Sequence, residues 1–511
     1  MALDPRTPVV VGVGQFTERI DDDGYRARSS VELATEAVRA ALADTGADPG
    51  AVAAAADTFA GLRQFEICIP TPPPLGASDN YVRSVAGRVG ADPARAVLEQ
   101  IGGNGPQQLL TEFAGRIAAG DAEVVVLLGS ENGSTLRYFA GRQDKPDFTE
   151  QVGGQLEDRG YGYEYYMTEY TVAHGLTGAP VQYGLLDNAR RARLGLGVAD
   201  YRTAMAELFA PLSEVAAKNP YSSSPTVRSV AEIAAVGDGN RMIADPYPRL
   251  LVARDQVNQG SAVVVMSVAA ARRLGVPESR WVYLHGHADL MEQPFLDREN
   301  LDVSHAATAA VTEALAVAGI GLDEVATFDL YSCFPFPVFA VCDGVGLAPD
   351  DPRGLTLTGG LPYFGGPGNS YSLHAIAETV VEMRSRPGQY GLVGANGGIM
   401  SKYSVGVYSS TPAPWRPDGS AALQARIDAR PRVAGTRDVD GPGTIETYSV
   451  RYDWPVRTGI IVGRRDADGS RFLAVTTDDE LVALMSDGDP LGARIQLRCS
   501  DGINRAAALP R

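Results

Sequence analysis

Two stretches decide the architecture: "ATEAVRAALADTG", residues 34–46, and "ATAAVTEALAVAG", residues 307–319. Each spaces its apolar residues as one face of a helix, ends in glycine, and leads through an acidic turn into an apolar run. Those runs are "AAADTFAGL" (54–62) and "VATFDLYSCF" (325–334). The parallel continues downstream. "IGGNGPQQLLTEFAGRIAAGDAEVVVLLGSENG" (101–133) and "FGGPGNSYSLHAIAETVVEMRSRPGQYGLVGANGG" (364–398) both read as glycine loop, helix, strand. A chain that repeats itself in this way predicts two similar α/β units with mostly parallel sheets.

Between the strand at 123–129 and "SAVVVMSV" (261–268) lies a long insertion. It carries the tyrosine-rich "GYGYEYYMTEY" (160–170) and one clear helix, "VADYRTAMAELFAPLSEVAAK" (198–218). Insertions of this length commonly cover a site or bear function. The tyrosines fit either surface packing or the lining of a ligand site. Beyond residue 412 the pattern turns to alternating strands, "TIETYSVRYD", "RTGIIVGRRD", "RFLAVTT" and "RIQLRCS", with a short helix near 478–486. These predict a small β-barrel. The expected domains are therefore 1–130 with 246–270, an insertion over 131–245, a second half over 271–412, and a barrel over 413–511.

Bulk properties narrow the function classes. The chain has 511 residues and a formal net charge of −17, which opposes general binding to nucleic acid or anionic membrane. It has four cysteines, Cys68, Cys333, Cys342 and Cys499, with no zinc or disulfide spacing. No apolar run is long enough to span a membrane, and the opening reads as a first strand and not a signal peptide. A cytoplasmic protein is expected. His285, His287 and Asp289 of "LHGHAD" alternate along one strand, which makes a metal conceivable. No further ligand cluster follows them, and no metal is expected.

The motif set resembles the thiolase superfamily, most closely its sterol-carrier-protein type and the thiolase-like protein type 1 branch. The resemblance runs over residues 7–412, through "VVVGVGQF", the glycine loop at 102–105, "NQGSAVVVMSVAAARRLG", "FDLYSCF", "GGLPYFGGPGN" and "GANGGIMSKYSVGVYS". It implies a duplicated five-layered fold of two βαβαβαββ halves, with an inserted loop domain that helps to hold coenzyme A. The C-terminal barrel, oligonucleotide-binding-like, is an addition to that fold.

Thiolase chemistry needs a nucleophilic cysteine at a helix N-terminus, an activating histidine, a second cysteine and an oxyanion hole. The resemblance puts Gly102 at the nucleophile, Gly366 at the histidine, Ala395 at the second cysteine, and Tyr331 at a further histidine. It implies a CoA or acyl-CoA ligand, with no other cofactor, in a monomer or homodimer acting in lipid or sterol metabolism. Gly103, Asn104 and Gly105 of the first loop, and Arg190, Arg191 and Arg193 of the insertion, are the candidate ligand contacts. Tyr331 and His374 are the candidate acid/base groups, with core packing as the alternative for each. Cys333 and Cys342 read as buried neighbours. Three functions remain open: a CoA-binding protein without thiolase activity, a CoA-ester retro-aldolase using Tyr331, and a scaffold recruiting a partner through its barrel.

Overall fold

A computed structural model describes residues 3–163, 167–453 and 455–509. The first half is built on a sheet in which Pro8–Thr17, Gln259–Ser267, Val124–Glu131, Thr58–Gly61 and Arg95–Leu98 lie side by side. The second half repeats the order with Tyr283–Met291, Lys402–Ser409, Tyr390–Gly397 and Val325–Leu330. Pairing senses match as well: in both sheets the first two pairings are antiparallel and the third is parallel. All strands of a sheet but one run the same way, so the sheets are mostly parallel, as expected. In each half the last strand returns against the run of its neighbours, so it pairs antiparallel on both sides.

The opening repeat forms the outer helices. Ser30–Asp44 packs on strand Pro8–Thr17, and His305–Ala318 packs on Tyr283–Met291. Glycine permits both close crossings. A Cβ at Gly14 would overlap the Ala37 carbonyl, and one at Gly286 would overlap the Ala314 carbonyl. The two helices that follow the glycine loops, Gly105–Ala119 and Tyr371–Ser385, lie between the sheets. Their apolar faces share one core with both sheets, through Leu109, Phe113, Val263, Leu373, Ile376 and Val393. Helix, sheet, helix, sheet, helix gives the five layers.

The C-terminal strands Gly441–Asp453, Val456–Arg465, Arg471–Thr476, Arg494–Ser500 and Ile503–Ala508 close into a barrel, with helix Asp479–Asp487 before the fourth. The closing order joins the third strand to the fifth in parallel and the fourth to the first, the Greek-key arrangement of an oligonucleotide-binding-like barrel. The fifth strand is alanine-rich and lacks the β-branched signature, so sequence reading passes over it. Among the described residues no helix is long and apolar enough to cross a membrane.

Candidate functional site

The duplicated topology brings the two glycine loops together at the entrances of the two central helices. They are bonded directly. The Gly102 amide donates to Asn369 Oδ1 at 2.9 Å, and Ser372 Oγ donates to the Gly103 carbonyl at 2.8 Å. Asn369 Nδ2 also donates to the Arg63 carbonyl at 2.7 Å. Asn369 and Ser372 were not singled out from sequence, because an Asn or Ser after a glycine loop reads as a turn residue.

The junction is closed by side chains. At Gly102, φ is +154°, a backbone conformation that L side chains rarely adopt, and a Cβ there would overlap Asn104 Oδ1. The same oxygen covers Gly397, which follows Ala395 and Asn396 at the end of its strand. Tyr331 presses its hydroxyl against Gly103, where a Cβ would overlap it. Its ring meets Tyr371 edge-on at 5.3 Å. No side chain or carbonyl among the described residues hydrogen-bonds the Tyr331 hydroxyl, and burial holds its pKa well above the usual phenol value, the neighbouring Cys333 adding to the effect. Gly105 begins the helix behind Asn104, and its amide donates to the Gly102 carbonyl.

Gly366 lies across the junction, its amide donating to the Arg254 carbonyl at 2.8 Å. Ala395 is wholly buried in its strand, paired with Ser404. His374 lies one turn into the second central helix and is fully buried. Its Nδ1 meets Gln15 Oε1 at 2.7 Å, and Phe364 meets the ring edge-on. Burial pushes its pKa down to about 3, so the imidazole is neutral at physiological pH. The histidine faces the first-half sheet through Gln15.

The insertion also reaches the junction. Tyr183, on helix Ala179–Leu194, donates to the Gly398 carbonyl at 2.5 Å, accepts from Asn396 Nδ2 at 2.7 Å and stacks on Phe334. Asn396 Nδ2 also lies 3.8 Å from Cys333 Sγ. Burial pushes the thiols of Cys333 and Cys342 up to about 12, which keeps both protonated and unreactive. Of the tyrosine-rich run, Tyr165 and Tyr166 lie outside the described residues, while Tyr161 and Tyr163 pack ring to ring at 5.4 Å.

The three arginines are engaged in ion pairs within the protein. Arg190 forms a two-pronged bond with Asp343 and stacks over Phe339; Arg193 bridges Asp343 and Asp302. Arg191, 1% exposed, grips Asp489 of the barrel at 2.9 and 3.0 Å. Each guanidinium is thus shared with a carboxylate, and the three serve as struts from the insertion to the second half and to the barrel. His287 is held by Asp418 at 2.8 Å and stacks on Trp415, while His285 meets the Thr411 carbonyl. Both histidines anchor the segment that leads to the barrel. Among the described residues, no group of three or more His, Cys, Asp or Glu side chains is arranged to hold a metal.

Comparison with known proteins agrees with this architecture. Residues 422–502 match the model of the thiolase-like protein type 1 additional C-terminal domain. A monomeric SCP2-thiolase-like protein type 1 from Mycobacterium smegmatis, known from its crystal structure, is 60% identical. That match covers 99% of this chain and 100% of the other, with a TM-score of 0.87. The Ltp2–ChsH2(DUF35) aldolase is 19% identical over 80% of this chain and 99% of its own, with a TM-score of 0.56. The dimeric peroxisomal thiolase of Saccharomyces cerevisiae is 11% identical over 80% and 98%, with a TM-score of 0.58. The last two are likenesses of fold. No curated protein matches the chain in sequence.

Proposed function

The chain belongs to the SCP2-thiolase-like proteins of type 1, and from that premise we propose that it binds coenzyme A or an acyl-CoA of lipid or sterol metabolism without performing ordinary thiolase chemistry. One observation carries the reading. Position 102 is a glycine whose side-chain space is taken by Asn104 Oδ1 and whose amide is already bonded to Asn369. Thiolysis proceeds through an acyl group on a nucleophile at a helix entrance, and transition-state stabilisation cannot replace a missing covalent step. Gly366 and Ala395 likewise offer no base and no second thiol. Support for the ligand is the family fold and the insertion that packs Tyr183 against the junction. The monomeric relative supports a monomer here too.

Titration calorimetry with CoA and with acetyl-CoA tests the binding, and an assay of acetoacetyl-CoA with free CoA tests the chemistry. Saturable binding without thiolysis is expected. Thiolysis would overturn the loss of activity, and no binding of either ligand would leave the scaffold reading.

A second reading is favoured by the Tyr331 hydroxyl, which is held protonated at the junction with no partner among the described residues. In a retro-aldol cleavage of a β-hydroxyacyl-CoA, the β-hydroxyl gives its proton to water, the α–β bond breaks, and an aldehyde or ketone leaves. That proton restores the phenol once the phenol has protonated the α-carbon. The electron pair stays on the α-carbon as an enolate. A neutral phenol suits the return of a proton to that carbon. Release of a carbonyl product that falls by about 100-fold or more in Tyr331→Phe would support this reading; no release would exclude it.

A further inference from the structure

Asn104, which covers Gly102, also lines a cavity of about 540 Å³. Its floor is the paired end of two second-half strands, where Ser404 stands opposite Asp289 and both line the space. Gln108, one turn into the first central helix, forms a wall with Asn104, whose Nδ2 donates to Gln108 Oε1 at 2.9 Å. Gln424, on helix Ser420–Asp428, forms the opposite wall and is fixed by two bonds to the Met291 backbone. Asp428 stands exposed on the same helix, accepting from Gln424 Nε2.

Asp289 is the group this cavity leaves incomplete. Its amide is satisfied by Ser420 Oγ at 3.1 Å, yet its Oδ1 is closed off from solvent with no hydrogen-bond partner among the described residues. The cation that lines the cavity, Lys402, already donates to the carbonyls of Ile101 and Gly162. Hydrocarbon placed here would strip water from the amides and leave Asp289 Oδ1 unpaired, at a cost of about 1–3 kcal/mol for each group without a hydrogen bond. A ligand carrying donors would reverse that balance. A cationic donor gives a charge-assisted bond of about twice the neutral strength.

We propose that this cavity is a binding site for a small organic ammonium ligand, with Asp289 as its counter-charge and the surrounding amides and serines receiving its polar body. It shares Asn104 with the glycine loop, and its test uses no thioester.

The experiment is calorimetry of the full chain with 1,4-diaminobutane at about 0.15 M ionic strength, where diffuse attraction to the acidic surface is screened. One saturable site is expected. Asp289→Asn keeps the shape and removes the charge, and should weaken binding about 10- to 100-fold. Ala421→Trp, at an exposed position of the lining, leaves Asp289 intact and should abolish binding by filling the entrance. Thermal melting verifies that both variants fold. Binding that ignores both substitutions would be surface condensation and would overturn the proposal. So would no binding, or an Asp289-dependent response to glucose in place of the diamine, which would assign a polyol.

Discussion

At the scale of single residues, the junction is defined by what the glycines admit. Gly102→Cys supplies the atom thiolysis lacks, but the new side chain would enter at φ +154° and collide with Asn104. Strain and overlap should each cost about 1–3 kcal/mol. The expected result is a lower urea midpoint and no thiolase activity; a stable, active Gly102→Cys protein would refute the reading of a closed junction. His374 has a different signature. Its folded pKa of about 3 lies below the unfolded value near 6.5, so the unfolded chain binds the extra proton first. This contribution is intact above pH 6.5 and is lost as pH falls towards 3. Buried Asp187 and Asp245, raised by desolvation to about 6, act oppositely, and their penalty grows as pH rises from about 4 to 6. His374→Gln should therefore remove a slope approaching 1.4 kcal/mol per pH unit from the acid side while leaving the carboxyl contributions in place. Denaturant melts of both proteins between pH 4 and 7 measure it, and parallel curves would exclude the assignment.

Among elements, the repeated helix and glycine-loop units were legible because helical periodicity and terminal glycines act locally. Ser30–Asp44, Gly105–Ala119, His305–Ala318 and Tyr371–Ser385 all stand where the pattern puts them. What escaped depends on distant partners. The arginines of Ala179–Leu194 look like a solvated helix face until Asp343 and Asp489 arrive from 150 or more residues away. Asn104 and Asn369 look like turn residues until the halves meet. The largest such case is Arg471, wholly buried on a barrel strand. It pairs with Glu446 and donates to the carbonyls of Leu296 and Arg298 in the second half. Arg471→Met strands those carbonyls and unpairs one side of Glu446, which keeps Arg464. A loss of about 3–5 kcal/mol is expected in chemical denaturation. A change below 1 kcal/mol would mean that Arg471 does not hold the barrel to the second half.

At the scale of the whole molecule, two features make the chain a single self-contained body. The first is the treatment of sheet edges, which otherwise invite pairing with another copy. Strand Arg95–Leu98 is capped by Glu157–Asp158 in parallel register, and the cap is held by Arg95 to Glu157 and by Arg159 to Glu99 and Glu112. The second is a core that ignores domain boundaries. One apolar cluster joins Tyr201 and Phe209 of the insertion, Phe336 and Val405 of the second half, and Ile460, Val462 and Leu473 of the barrel. A hairpin at the end of the insertion, Met242–Ala244 with Tyr247–Pro248 just beyond it, extends the barrel sheet by pairing Ala244 with Arg451. A barrel attached in this way is not a detachable adaptor. Removing it would bare apolar surface worth about 25 cal/mol per Å² together with the buried face of Arg191. The full chain should therefore sediment as a monomer and melt in one calorimetric transition, with calorimetric and van't Hoff enthalpies agreeing. A chain ending at residue 412 should aggregate or bind a hydrophobic dye. Two separate transitions, or a soluble and compact truncated form, would instead assign the barrel to an independent domain.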